Sequence, residues 1–211
     1  MNIASIILII FRILKILKIN NNIQYLSKKE NNTMKNSAAQ SAVTQNINML
    51  NKLHMAMIEL YKGDSRRIQH FCKVHSYARL IAQMENVDYK TLFIIETAAL
   101  THDIGIHICE EKYGECGGRL QEKEGPALAK ELLERLGFET DISERVQYLI
   151  AHHHTYSNID GIDYQILVEA DFIVNMYEDG VSKDAVLKAY NNIFKTEYGK
   201  YICKDMFLIA S

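Results

Sequence analysis

From Val43 onward, apolar residues recur at intervals of three and four, the repeat of an α-helix with one buried face. The repeat predicts a first helix over about residues 44–62, stopped at Gly63. "GDSRR" restarts the chain, with Asp64 or Ser65 as N-cap of a second helix that runs to about residue 85. Asp88 caps a third, over about residues 89–103. Residues 104–122 hold Gly105, Gly114, Gly117 and Gly118 and read as a loop. "EGPALAKELLERLGF" is a helix with Pro126 in its first turn and Gly137 as its stop. "DISE", residues 141–144, resembles a capping box and opens a helix ending near "HHH". After the loop "TYSNIDGID" comes the helical stretch "YQILVEADFIVNMYED", stopped near Gly180, and at least one further helix starts near Ser182. No alternating, strand-like run of useful length interrupts this pattern. The expected class is all-α, a helical bundle without internal repeats.

The first 43 residues follow another pattern. "IASIILIIF" (residues 3–11) is strongly apolar, and Arg12, Lys15 and Lys18 then interrupt it. The uncharged run is far shorter than the roughly 18–20 residues a spanning helix needs. Its positive charges follow the apolar run, the reverse of a secretory signal. It reads as a basic amphipathic helix lying on a membrane or partner, or as an extension translated upstream of a working start at Met34. The Asn/Ser/Lys-rich stretch after it is linker-like and favours the second reading. Membrane contact is expected only if residues 1–20 belong to the native protein. The domain division expected is 1–43 for this segment and linker, and 44–211 for the bundle.

Composition narrows the function classes. Of 211 residues, 48% are hydrophobic and 24% charged, which fits one globular domain rather than disorder. A net charge of −2 gives no basic field for a nucleic-acid polymer. Cys72, Cys109, Cys116 and Cys203 form no CxxC pair and fit no zinc ribbon. They read as free thiols in a reducing, cytoplasmic setting.

Helical phase then asks which ionisable side chains face the core. His70 borders the stripe Phe71, Val74, Ala78, Ile81, whereas His75 aligns with Arg79 and should face water. His102 and Asp103 extend the inward face of Leu92, Ile95, Ala99 and Leu100. Asp171 lies on the face of Ile166, Leu167, Ala170 and Val174, and Val146, Leu149 and Ile150 point to His153 as the inward member of "HHH". A buried unpaired charge costs several kcal/mol or more. Four or five such groups from distant helices are reconciled by one shared divalent cation. Imidazole with carboxylate suits Mn²⁺, Fe²⁺, Co²⁺, Ni²⁺ or Zn²⁺ better than Mg²⁺. Helix-end chemistry would account for His102 at a C-terminus but not for Asp103 beside it.

"HFCKVHSYARLIA", "ALTHDIGI" and "ILVEADFIVN" together resemble the HD-domain superfamily of metal-dependent phosphohydrolases: a first His, an adjacent His-Asp pair and a distal Asp on a later helix. The resemblance spans about residues 44–180 and implies an HD-domain helical bundle. It implies His70, His102, Asp103 and Asp171 as ligands of the first metal. Dinuclear members carry a further histidine four residues before a glycine that opens the next helix. Here that glycine is Gly125 and the position holds Gln121. One tight metal is therefore expected, with a weak second ion or a phosphate near His153, or near His154 as the alternative. "NIDGIDY" is not the glycine-tyrosine-proline motif of cyclic-di-GMP-specific members, and the chain has only Pro126.

The activity implied is hydrolysis of a phosphomonoester or phosphodiester, of a nucleotide or related small molecule. Asp103 would orient or deprotonate the water, and His153 or Arg67 would balance charge on the phosphoryl group. Lys123 and Arg119 are looser candidates. A homo-oligomer is compatible with this reading. Two other functions stay open: a metal-bearing regulatory module that binds a nucleotide without turnover, and a di-iron oxygenase.

Overall fold

The computed structural model describes residues 37–209; the apolar and basic segment at the N-terminus lies outside the described residues. The chain divides into two compact units, residues 1–47 and 48–211. Among the described residues the regular structure is helical throughout. In order the helices are α1 (Ser37–Leu60), α2 (Ser65–Met84), α3 (Tyr89–Thr101), α4 (Ile106–Tyr113), α5 (Gly118–Leu136), α6 (Thr140–Ile150), α7 (Ile162–Glu178), α8 (Lys183–Asn192) and α9 (Glu197–Phe207). Residues 37–43, read from sequence as linker, are helical and open α1.

α3 is the centre of the second unit. Every residue from Phe93 to Thr101 is buried, so beyond its first turn this helix has no solvent-facing side. It packs against α2, α6 and α7. Thr97 and Thr101 satisfy their hydroxyls within the helix by donating to the carbonyls of Phe93 (2.7 Å) and Thr97 (2.8 Å). The run Tyr89–Tyr113 is apolar enough to cross a membrane by composition, but 72% of its most apolar window is inside the bundle. It serves as core.

Asp88 starts α3 by accepting from the backbone N–H groups of Lys90 (2.9 Å) and Thr91 (3.0 Å). The Thr91 hydroxyl also donates to it, and these bonds hold its carboxyl below the ordinary range. A depressed carboxyl stabilises the fold above its unfolded pKa and ceases to do so as pH falls through the depressed value. Asp88→Ala is therefore expected to cost about 1 kcal/mol in urea unfolding at pH 7. The gap from wild type should shrink as the solution is acidified below about 4.

Three local expectations fail, the first two for a tertiary reason. The glycine-rich stretch 104–122 is not a loop: it holds α4 and the start of α5, joined by a turn with Gly114 in the left-handed region at φ 77°. Pro126 lies inside α5 rather than in its first turn. The glycines serve close approach instead. A Cβ on Gly105 would stand 3.0 Å from Gly125 N, and one on Gly125 would stand 2.7 Å from Ile150 Cγ2. The turn after α3 and the middle of α5 thus touch backbone to backbone, and this packing outweighs the local breaker signal. In "DISE", the N-cap is Glu139, without a side-chain cap bond; Asp141 sits in the first turn and pairs with Lys90.

His75 does not face water. Its Nε2 lies 3.1 Å from Oε1 of Glu96, a residue only 5% exposed on α3. A carboxylate buried on the central helix needs a partner, and His75 and Arg79 (3.4 Å) supply it from α2. Glu169 is a second buried carboxylate. It accepts from Gln165 Nε2, from the Thr196 hydroxyl, and from the N–H groups of Lys195 and Thr196, thereby anchoring the start of α9 to α7.

Candidate metal centre

His70 lies within α2, whose stripe Phe71, Val74, Ala78 and Ile81 is buried against α3 and α7 and sets its rotation. His102 and Asp103 occupy the turn immediately after α3, where the helix no longer claims every carbonyl. His102 is fully buried, and its Nδ1 donates to the carbonyl of Ala99, 3.0 Å away. The Tyr61 hydroxyl donates to the backbone carbonyl of Asp103 at 2.6 Å and holds that turn from just past the end of α1. The turn after α6 repeats the device: His153 Nδ1 donates to the carbonyl of Ile150 at 2.7 Å. Tyr164, on α7, donates its hydroxyl to the carbonyls of His152 and Thr155 on the same turn. α7 contributes Asp171, which is 4% exposed.

Four side chains meet. His70 Nε2 is 3.2 Å from His102 Nε2, 3.2 Å from Asp171 Oδ1 and 3.5 Å from Asp103 Oδ2. His102 Nε2 is 3.4 Å from Asp103 Oδ2 and 3.5 Å from Asp171 Oδ1. A second group adjoins the first through the other oxygen of Asp103. His153 Nε2 lies 3.7 Å from Asp103 Oδ1, and His154 joins Asp103 and His153 to complete this trio. Gln121 closes it, its Oε1 at 2.8 Å from His154 Nε2 and 3.3 Å from His153 Nε2.

Tautomers give the arrangement its meaning. Where an Nδ1–H donates to a carbonyl or carboxylate, a neutral imidazole carries its lone pair on Nε2. That holds for His102, for His153, and for His70, whose Nδ1 meets Glu178 Oε2 at 3.0 Å. The Nε2 lone pairs of His70 and His102 therefore face each other and two carboxylates. Such a cluster is repulsive unless cations, protons or a metal, sit within it. Asp171 Oδ1 is the one buried side-chain polar atom among the described residues without a hydrogen-bond partner. Donors around one ion with bonds of about 2.1 Å stand about 3.0–3.4 Å apart, close to the 3.2–3.5 Å found here. The residues fit a divalent cation.

Electrostatics agree. Burial lowers His102 and raises Asp103 and Asp171, but their mutual attraction outweighs it. His102 stands well above its ordinary pKa and both carboxyls below theirs. Burial, helped by neighbouring His153, holds His154 down at about 4, so its imidazole is neutral at pH 7.

The other sequence candidates are placed differently. Arg67 does not turn to the cluster; its guanidinium is taken by Asp64 and Glu110, both at 2.5 Å, which leaves it little free charge for a phosphoryl group. Lys123 is on the surface beside Tyr113 and Glu124, and Arg119 is exposed. Phase favoured His153 over His154, yet both point at Asp103, because they sit in a turn rather than a helix. Glu178 and Lys73 were missed. Their signal was spacing: Glu178 is two turns beyond Asp171, and Lys73 is three residues beyond His70.

The family model of the HD domain matches residues 67–189, the stretch that contains every donor above. Among solved structures, the chain is similar to a predicted HD superfamily hydrolase from an uncultured Thermotogales bacterium. Identity is 25% over 75% of this chain and 84% of that one, with a TM-score of 0.55. It shares its fold with Bacillus subtilis YpgQ, at 16% identity, 77% and 90% coverage and a TM-score of 0.52. No curated protein matches the chain. With its family model covering more than half the sequence and its helices arranged as in both solved structures, the chain belongs to the HD domain family.

Proposed function

We propose that the protein is a metal-dependent hydrolase of phosphate esters, with His70, His102, Asp103 and Asp171 holding one divalent cation. The observation that carries this reading is the buried, unpartnered Oδ1 of Asp171, facing two imidazole lone pairs at 3.2 and 3.5 Å. Two nitrogen and two oxygen donors favour Mn²⁺, Fe²⁺, Co²⁺, Ni²⁺ or Zn²⁺ over Mg²⁺. Such an ion, when bound, activates a water and polarises a phosphoryl oxygen.

The chain supplies the rest. Asp103 has two faces: Oδ2 turns to His70 and His102, and Oδ1 turns to His153. Its side chain keeps 20% exposure, the most of the four donors. It is thus the group placed to orient a water and accept its proton from the solvent side. His153 stands beside that face with Nε2 toward the site, where it can donate to a phosphoryl oxygen once protonated. Tyr156, 43% exposed and with its hydroxyl 3.4 Å from His154 Nδ1, offers a ring beside the second group on which the base of a nucleotide could stack. A cytoplasmic location belongs to the same proposal and is supported by four unpaired cysteines.

The test is direct. Protein loaded with Mn²⁺ or Co²⁺ is offered a panel of nucleotides and aryl phosphates. Phosphate release that stops on chelation and returns on re-addition of the metal is the expected result. Tight nucleotide binding without product would identify a regulatory module instead, and two irons with oxygen-dependent turnover an oxygenase.

A further inference from the structure

Three of the inward histidines, His70, His102 and His153, obtain their Nδ1 acceptors in two different ways. His102 and His153 sit in turns just past helix ends, and each donates to the carbonyl three residues back, Ala99 and Ile150. Those carbonyls are among the orphans every helix end provides. His70 has no such supply. It lies inside α2, where the neighbouring carbonyls are already bonded along the helix. Its acceptor comes from another helix: Glu178, the last residue of α7, at 3.0 Å. The second oxygen of Glu178 is fixed by Lys73 Nζ at 2.6 Å, and Lys73 is again on α2.

An acidic residue at that place is otherwise unfavourable. The C-terminal end of a helix repels negative charge. The Glu178 side chain is only 13% exposed, so solvent does little to relieve it. Its position is explained by what it holds.

We propose that Glu178 is the positioning residue of the metal centre, with Lys73 as its clamp. It fixes His70 as the Nδ1–H tautomer with Nε2 free for the cation, and its charge makes that nitrogen a stronger donor than the carbonyl-bonded His102. The inference rests on the metal centre proposed above. It adds that the affinity of this centre is set from outside it, by an ion pair between α2 and α7.

The test measures Co²⁺ and Mn²⁺ affinity by chelator competition, together with the visible absorption of the Co²⁺-loaded protein. Glu178→Ala is expected to weaken binding about 10- to 100-fold and to alter the Co²⁺ absorption. Glu178→Gln keeps an acceptor without the charge and should fall between. Lys73→Met leaves the Glu178–His70 bond in place and should have the smallest effect. A stapling role for the ion pair predicts otherwise: Glu178→Gln and Lys73→Met would lower the melting temperature of the metal-free protein alike, with affinity within twofold of wild type and the Co²⁺ absorption unchanged. That result overturns the inference while leaving the metal centre standing. Failure of the wild type itself to take up either ion overturns both. Glu178→Gln and Lys73→Met decide the matter even if Glu178→Ala does not fold.

Discussion

Asp171→Asn is expected to abolish tight uptake of the proposed cation and leave the fold standing. The substitution keeps the shape of a side chain that is 4% exposed and replaces an unpartnered carboxylate oxygen with an amide. One strong oxygen donor disappears, and with it part of the negative charge that holds His102 above its ordinary pKa. Turnover should fall about 1000-fold or more. Metal content after dialysis should drop to background. Thermal denaturation separates this from simple unfolding. Wild type at a hundredfold excess of Mn²⁺ over its dissociation constant should gain about 2.7 kcal/mol. That corresponds to roughly 5–10 °C in melting temperature for a chain of this size. The variant should show no such gain, and its metal-free melting temperature should fall only modestly, through loss of the His102 and His70 contacts that hold the Asp171 carboxyl down. A variant that keeps its metal-dependent shift removes Asp171 from the ligand set.

Gln121→His is expected to raise the metal content from the single proposed ion to about two per chain. Asp103, His153 and His154 already converge next to the first group, and His154 is neutral at pH 7. Gln121 completes that circle with a neutral amide oxygen, a weak donor already engaged by the His154 imidazole at 2.8 Å. A third imidazole there supplies the set a borderline cation prefers. Anomalous scattering from Co²⁺- or Mn²⁺-loaded crystals gives position and number together. A stoichiometry that remains at one shows that the space beside His153 and His154 serves water or phosphate. The Gly118 backbone makes the site sensitive on its other side, since a Cβ there would stand 2.7 Å from the His154 ring.

The donors found from helical phase are those whose helices have a plain apolar stripe. His70 and Asp171 border rows of buried aliphatic residues, so the rotation of each helix was readable from composition alone. His102 and Asp103 were readable because their helix runs out where they stand. What escaped depends on contacts between distant segments. His75 was assigned to solvent because its own helix offers it only Arg79; its partner Glu96 is on another helix. Arg67 is one turn from His70, but Asp64 and Glu110 compete for it, and Glu110 lies in a helix that the glycine-rich composition concealed. Those glycines read as a loop in the sequence, whereas Gly105 lets its backbone meet that of Gly125.

That meeting has a consequence for how the family's chemistry can vary. Asp103 precedes one side of the contact by two residues and Gln121 precedes the other by about one turn, so their spacing is set by main chain rather than by either side chain. Position 121 behaves as a socket: its occupant can be exchanged while the surrounding architecture stays where it is. Glutamine and histidine codons differ only in the third base. A lineage carrying this scaffold could therefore pass between mononuclear and dinuclear chemistry through one nucleotide change.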